Sequence, residues 1–252
     1  MAKSSQENWF SYEWDVRGAH ALFTVDTAFE EPAAGYETLL YIALSPREDE
    51  VVEFTPRMLR HADKMTKRIL RALPEAKYVG TIEMDALRQL YFYVQDGDEA
   101  AQTVRDATRK EKLIAVTPGT AAEPDWLSYH ALLLPDAAKY QTVLNAEMIE
   151  RLKRNGDGLT TVRRLTFSLC FPSEQTRVLF QEQARQNGFA IGEPQFRPEL
   201  ELPHVLTIHA LSALNKPDVD KLTTRAIRVA EPHGGELLRW SCPVMPKRSP
   251  LS

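Results

Sequence analysis

No glycine-rich phosphate loop, nucleophile elbow or paired-cysteine motif occurs in the 252 residues. Without GxGxxG, a Walker-type loop or GxSxG, local support is missing for dinucleotide binding, NTP-phosphate binding and an α/β-hydrolase nucleophile. Cysteine is scarce. The two present, Cys170 and Cys242, form no CxxC pair, which argues against a disulfide framework and a cysteine-based zinc site. Both fall inside predicted strands, on different kinds of strand face, and read as buried free thiols of a reducing compartment. The six histidines are scattered. Residues 1–8 lack an apolar signal core, and no run approaches the ~18 apolar residues of a membrane span, so a cytoplasmic protein is expected. No catalytic, cofactor-binding or metal-binding residue is assigned, and no cofactor is expected.

What is there is a globular composition, 43% hydrophobic and 26% charged, on a chain long enough for two ordinary domains. The formal net charge of −4 is too mild to demand a charged partner. The halves differ: residues 138–252 hold 16 Lys/Arg against 12 Asp/Glu, and residues 1–137 hold 15 against 23. The chain pivots on Arg151 to Leu159, where a basic helix end runs into the Gly156-Asp157-Gly158 break. An alternating strand begins just beyond it. The reading is α+β with two domains: residues 1–135, and residues 136–252 comprising a linker helix and a second domain.

In the first half, Phe10, Tyr12, Trp14 and Val16 alternate with Ser11, Glu13 and Asp15, the period of a half-buried strand. Residues 19–29 return with Ala21, Phe23, Val25 and Phe29 on one face, making a hairpin at Arg17-Gly18. The continuous run 38–44 suits a strand buried on both faces. Thr55-Pro56 pairs a hydroxyl cap with a proline at the first helical position, and Met58, Ala62, Met65, Ile69 and Leu73 follow at helical spacing as far as Pro74. A second hairpin turns at Asp85-Ala86. A weaker helix runs from Gly97 to about Lys110 on Ala101, Val104 and Ala107. A short strand spans 113–116, and 126–134 is an apolar segment. Strands with two helices give an antiparallel α+β domain.

In the second half, Asp136 caps a helix whose apolar stripe reads Tyr140, Leu144, Met148 and Leu152, with Lys153 and Arg154 in its last turn. Leu165, Phe167, Leu169 and Phe171 form one face of the next strand, and Thr166, Ser168 and Cys170 the other. Ser173 caps a helix to Gln186 that includes Val178, Phe180 and Ala184, and Asn187-Gly188 ends it. A strand opens at 189–191 and meanders past Pro194, Pro198 and Pro203. Residues 204–211 form a third strand. A helix from Lys216-Pro217 carries Val219, Leu222, Ala226 and Val229. Leu238, Trp240, Cys242 and Val244 finish as a fourth strand, at a sheet edge that tolerates Pro243. The order is βαββαβ, ferredoxin-like.

Several positions invite a functional reading. The Trp9, Tyr12 and Trp14 cluster suits a ligand platform or simply a core. Asp125, Tyr129 and His130 sit together without a nucleophile. His61 lacks a ligand partner at i+4, and His204 and His209 fall on opposite strand faces. Lys153 and Arg154 read as helix-end charges, and Arg47 to Glu50 as a solvated loop. Base stacking on the second sheet needs exposed aromatics. The face opposite the helices instead offers Thr166, Ser168, Cys170, Val205, Thr207 and His209, so no direct base-stacking contact with RNA is expected.

Gly156-Asp157-Gly158-Leu159, Gly188-Phe189, Gly234-Gly235-Glu236 and Trp240 together resemble the regulator of ribonuclease E activity B (RraB-like) family, over about residues 150–245. The first half resembles a domain of unknown function that often precedes RraB-like domains. That likeness rests on Trp9, Tyr12, Tyr78-Val79-Gly80, Tyr91-Phe92-Tyr93, Asp125-Trp126, Tyr129 and Leu133-Leu134-Pro135. The resemblance implies a non-enzymatic, protein-binding regulator that inhibits an endoribonuclease. The chain departs from the family in having Leu237-Leu238-Arg239 where an acidic residue and a glycine are usual, and in a slightly basic second half. The alternative is a hydrolase or small-ligand binder with its site in the inter-domain cleft. A homodimer through an open sheet face is the third possibility.

Overall fold

A computed structural model describes residues 7–16, 18–48 and 51–246. Arg17 of the first turn, and Asp49 and Glu50 of the 47–50 loop, lie outside the described residues, as do residues 1–6 of the N-terminal stretch. The fold is α+β, built on two antiparallel sheets, and the chain divides into two compact units between Pro135 and Asp136. Among the described residues no helix is long and apolar enough to cross a membrane.

The first unit is a six-stranded sheet made from β1 (Trp9–Val16), β2 (Ala19–Asp26), β3 (Thr38–Pro46), β4 (Lys77–Met84), β5 (Leu87–Val94) and β6 (Ile114–Ala122). The spatial order is β1-β2-β4-β5-β3-β6. Helices α1 (Pro56–Ala72) and α2 (Gly97–Thr108) cover one face. There Met58, Ala62, Met65, Ile69, Ala101 and Val104 pack on Leu40, Ile42, Leu44, Leu90, Phe92 and Val94. The Thr55 hydroxyl accepts from the Met58 amide, with Pro56 opening the helix, so the cap legible in the sequence is the cap formed.

Three expectations for this unit change. Phe29 lies beyond β2, which ends at Asp26. The run through β3 is buried at Leu40, Ile42 and Leu44 on its helix-facing side, while on the other side Leu39 is buried and Tyr41 and Ala43 are half-buried. The strand read as ending at residue 116 continues to Ala122 through Pro118 and Gly119. It lies at the edge of the sheet, where proline breaks no interior ladder, and Tyr41 rests on Gly119 so closely that a Cβ would stand 2.4 Å from the ring.

In the second unit α3 (Ala137–Arg154) precedes β7 (Arg163–Phe171), α4 (Glu174–Gln186), β8 (Ala190–Phe196), β9 (His204–Ser212), α5 (Lys216–Ala230) and β10 (Glu236–Ser241). The sheet order β10-β7-β9-β8 is the ferredoxin-like arrangement. Leu165, Phe167, Leu169 and Phe171 of β7 meet Phe180, Ala184, Val219, Ala226 and Trp240 in one core. Ser173 and Thr176 form a capping box at the start of α4.

The stripe expected on α3 is corrected. Tyr140 is 48% and Leu144 39% exposed, while Ala138, Gln141, Thr142, Asn145, Ile149 and Leu152 are buried. Polar side chains occupy that buried face because each finds a partner: Asn145 in Asp220 and Thr223 of α5, Gln141 in Asn145, and Thr142 in the Lys139 carbonyl. On α4, Val178 is half exposed, because Arg177, Phe180 and Ala184 define the inward face. The last strand ends at Ser241, so Cys242, Pro243 and Val244 lie beyond it. A bulge between Leu237 and Arg239 shifts the register, leaving Leu238 exposed and returning Trp240 to the core.

Gly80 follows a bulge in β4 and lies against β2, so that a Cβ there would stand 2.7 Å from the Thr24 carbonyl oxygen. Backbone must shift to admit it. Gly80→Ala is expected to cost about 1–3 kcal/mol, seen as a lower urea midpoint. An unchanged midpoint would mean that the strands separate freely.

Candidate functional site

The aromatics near the N-terminus do not form one platform. Tyr12 is buried, stacks on Phe23 at 4.8 Å and donates to the Leu133 carbonyl at 2.9 Å. Trp9 is on the other strand face, 5.1 Å from the Tyr78 ring. Asp125 and His130 are exposed and Tyr129 is buried between them. The segment carrying them is a π-helical turn, Ser128–Leu133, preceded by Trp126 at φ 49°. The turn covers the sheet face opposite α1 and α2. Trp126 stacks on Tyr93 at 4.0 Å and donates to the Tyr36 carbonyl at 2.7 Å, and Tyr129 donates to the Asp26 carbonyl at 2.8 Å. The Tyr93 hydroxyl donates to Glu123, which also accepts from the Ser128 amide and hydroxyl. Burial pushes the Tyr129 phenol up to about 12, and burial followed by Glu123 raises that of Tyr93. These phenols are fixed donors at neutral pH, Tyr129 tethering a carbonyl and Tyr93 a carboxylate.

In the second unit the Gly-Asp-Gly break builds a buried ion pair. Asp157 and Arg163 have fully buried side chains, with Nη1–Oδ2 at 2.5 Å and Nη2–Oδ1 at 3.0 Å. The remaining valences are filled: Leu159 and Met245 amides donate to the carboxylate at 2.7 Å each, and Arg163 donates to the carbonyls of Pro243 (3.0 Å) and Thr161 (3.0 Å). Burial opposes the charge of Asp157, but Arg163 and the two amides outweigh it and hold the carboxyl at about 2.

A second buried polar centre joins α3, α5 and β10. Asn145, wholly buried, accepts from Trp240 Nε1 (2.8 Å) and Gln141 (2.9 Å), and donates to Asp220 (2.7 Å) and Thr223 (2.8 Å). Two acceptor and two donor positions are the full capacity of a carboxamide. Trp240 is thus both core and polar anchor. Residues 75 and 95 positions away complete this centre, which local sequence does not announce.

Hydroxyl, thiol and imidazole groups are taken up in the same way. Thr166 and His209 are cross-strand neighbours 3.0 Å apart, and burial, then Arg164, lowers the imidazole's affinity for a proton. The backbone of Gly192 closes over His209 and Thr207, since a Cβ there would lie 2.9 Å from His209 Nε2. Burial pushes the thiols of Cys170 and Cys242 up, away from thiolate. His204 and His209 keep opposite faces, His204 pairing with Phe196 at 5.2 Å. His61 finds a partner from afar: Glu111 lies 3.1 Å from its Nδ1. Lys153 and Arg154 end α3, Lys153 facing Glu150 at 3.4 Å. No group of three or more His, Cys, Asp or Glu side chains among the described residues is placed to hold a metal ion.

What stays outward is surface of two kinds. The second unit exposes Leu144 on α3 and Val178 and Leu179 on α4. The first exposes a basic helix face, where Arg57, His61, Lys64, Arg68, Lys110 and Lys112 line an open groove of ≈ 440 Å³.

Residues 7–134 match the model of a family described as Family of unknown function (DUF695), and residues 143–242 match that of Regulator of ribonuclease activity B (RraB). Comparison with curated proteins gives no match. Among solved structures the chain is similar to the crystal structure of an unknown protein from Galdieria sulphuraria, at 10% identity over 82% of this chain and 99% of that one. The TM-score of 0.22 is too low for that likeness to carry any argument.

The folded Asp157 carboxyl titrates at about 2, below the ~3.9 of an unfolded aspartate. Its contribution to stability is therefore complete above about pH 5 and drains away as pH falls toward 2. Asp157→Asn leaves Arg163 charged and buried, and is expected to cost the second unit about 3–5 kcal/mol at pH 7. The variant's acid limb is expected to be shallower than that of the parent in denaturation measured across pH 2–7. Equal limbs would remove Asp157 as the titrating group.

Proposed function

Because the chain belongs to the DUF695 family and its second unit is RraB-like, we propose that it is a non-enzymatic regulator that acts by binding another protein. The partner this reading names is an endoribonuclease of the ribonuclease E type, whose RNA cleavage it would inhibit. The match of residues 143–242 to Regulator of ribonuclease activity B carries the proposal. The ferredoxin-like order of the second sheet agrees with it. So does the use of Asp157, Arg163, Asn145 and Trp240 in internal bonds, which leaves recognition to exposed side chains elsewhere on the unit.

Protein contacts are dominated by a few apolar or aromatic anchors that lose water on binding. Val178 and Leu179, 50% and 53% exposed on α4, are the adjacent pair suited to that role. Adding the purified protein to a ribonuclease E-type enzyme is expected to slow RNA cleavage with a saturable dependence on concentration. Val178→Asp with Leu179→Asp is expected to weaken capture of that enzyme about tenfold or more. An unchanged cleavage rate at saturating protein contradicts the proposed partner. RNA cleavage by the protein alone contradicts the non-enzymatic reading.

A further inference from the structure

Helix α1 concentrates charge against the balance of its own half of the chain. Six of the fifteen Lys/Arg in residues 1–137 lie on it, with one carboxylate, Asp63. Arg57, Arg60, Lys64, Lys67 and Arg71 are exposed and recur at steps of three and four. At about 100° per residue they fall within an arc of about 80°, opposite buried Met58, Ala62, Met65 and Ile69. The stripe is about 21 Å long, with about 5–6 Å between the Cβ atoms of neighbouring basic residues.

The carboxylates beside it are already engaged. Asp63 accepts from Arg88 at 2.7 Å. Glu111 accepts from the Leu113 amide at 2.8 Å and lies 3.1 Å from His61. Burial opposes its charge, but the Leu113 amide, His61 and the Ile114 amide hold its carboxyl below the usual range. Among the described residues, no ion pair involves Arg57, Arg60, Lys64, Lys67 or Arg71. Arg68 turns from the stripe toward the Ala107 carbonyl, 3.3 Å away, and Lys110 and Lys112 extend positive charge along the groove.

We propose that the outer face of α1 binds the phosphate backbone of a single-stranded nucleic acid. A straight row of unpaired cations, closely spaced and rich in arginine, is complementary to a linear array of phosphates. α1 carries no Phe, Tyr or Trp to stack a base, so the contact is made to the backbone and is insensitive to sequence. A flexible single strand can lay successive phosphates along this straight row, whereas the phosphates of a duplex follow a helical path. This inference concerns the first unit and stands whether or not the second binds a ribonuclease.

The test is fluorescence anisotropy of a labelled oligouridylate of about 20 nucleotides with the full-length protein. With three to five phosphate contacts, log K is expected to fall with log salt at a slope of about −2 to −3.5. Arg60→Glu with Lys64→Glu and Lys67→Glu is expected to weaken binding more than about tenfold at low salt. The milder Lys64→Gln with Lys67→Gln, which introduces no repulsion, is expected to flatten the slope by about 1.4. Lys153→Glu with Arg154→Glu, on exposed residues at the end of α3, is expected to leave binding unchanged. Three results would overturn the proposal: no binding at low salt, equal weakening by the α3 variant, or displacement by polyglutamate of the same length as readily as by unlabelled oligouridylate.

Discussion

The second unit depends on the ion pair between Asp157 and Arg163. It joins three pieces of chain: the Gly-Asp-Gly break, the first residue of β7, and the segment after β10 through Met245 and Pro243, where a single antiparallel bridge between Asp157 and Pro246 is the only ladder contact between break and tail among the described residues. Taking two charges fully out of water costs several kcal/mol per ion, so the arrangement persists only because the carboxylate and guanidinium are both supplied with further hydrogen bonds. An isolated contact would not suffice. With both ends fixed, Leu159 takes a left-handed conformation at φ 62° and its carbonyl accepts from Leu214, tying the break to the residues before α5.

The residues that carry the family likeness turn out to be those with such internal duties. In the first unit Tyr12, Trp126 and Tyr129 tether one π-helical turn to the sheet, and Tyr93 stacks beneath it. In the second, Asp157 holds the break and Trp240 meets Asn145. These positions specify the two folds. The outer helix faces carry none of these bonds: α4 exposes Val178 and Leu179, and α1 exposes its basic residues.

Much of the fold was legible because local signals agreed with tertiary demand. Thr55-Pro56 starts α1, Ser173 starts α4, and the period of two along residues 165–171 gives a strand with one core face. The failures have specific causes. On α3, Tyr140 and Leu144 imitate a core stripe that only Met148 and Leu152 fulfil, whereas the buried face contains Gln141 and Asn145, and Asn145 finds its partners Asp220, Thr223 and Trp240 far along the sequence. In β10 a single bulge at Leu238 breaks the alternation that Leu238, Trp240, Cys242 and Val244 suggested. Nothing local marks Trp126 for a positive φ or pairs His61 with Glu111, fifty residues on. The basic residues of α1 were visible as charge, but only the pairing of Asp63 with Arg88, and of Glu111 with amides and His61, makes their imbalance meaningful.

Native-state hydrogen exchange at the amides of Leu159 and Met245 tests the central role of the ion pair most directly, since both donate to Asp157. If the pair holds the second unit together, these two amides open only with its global unfolding and exchange as slowly as the central amides of β7. Exchange orders of magnitude faster, through a local opening that leaves β7 protected, would reduce the pair to a surface-like tie and contradict the account.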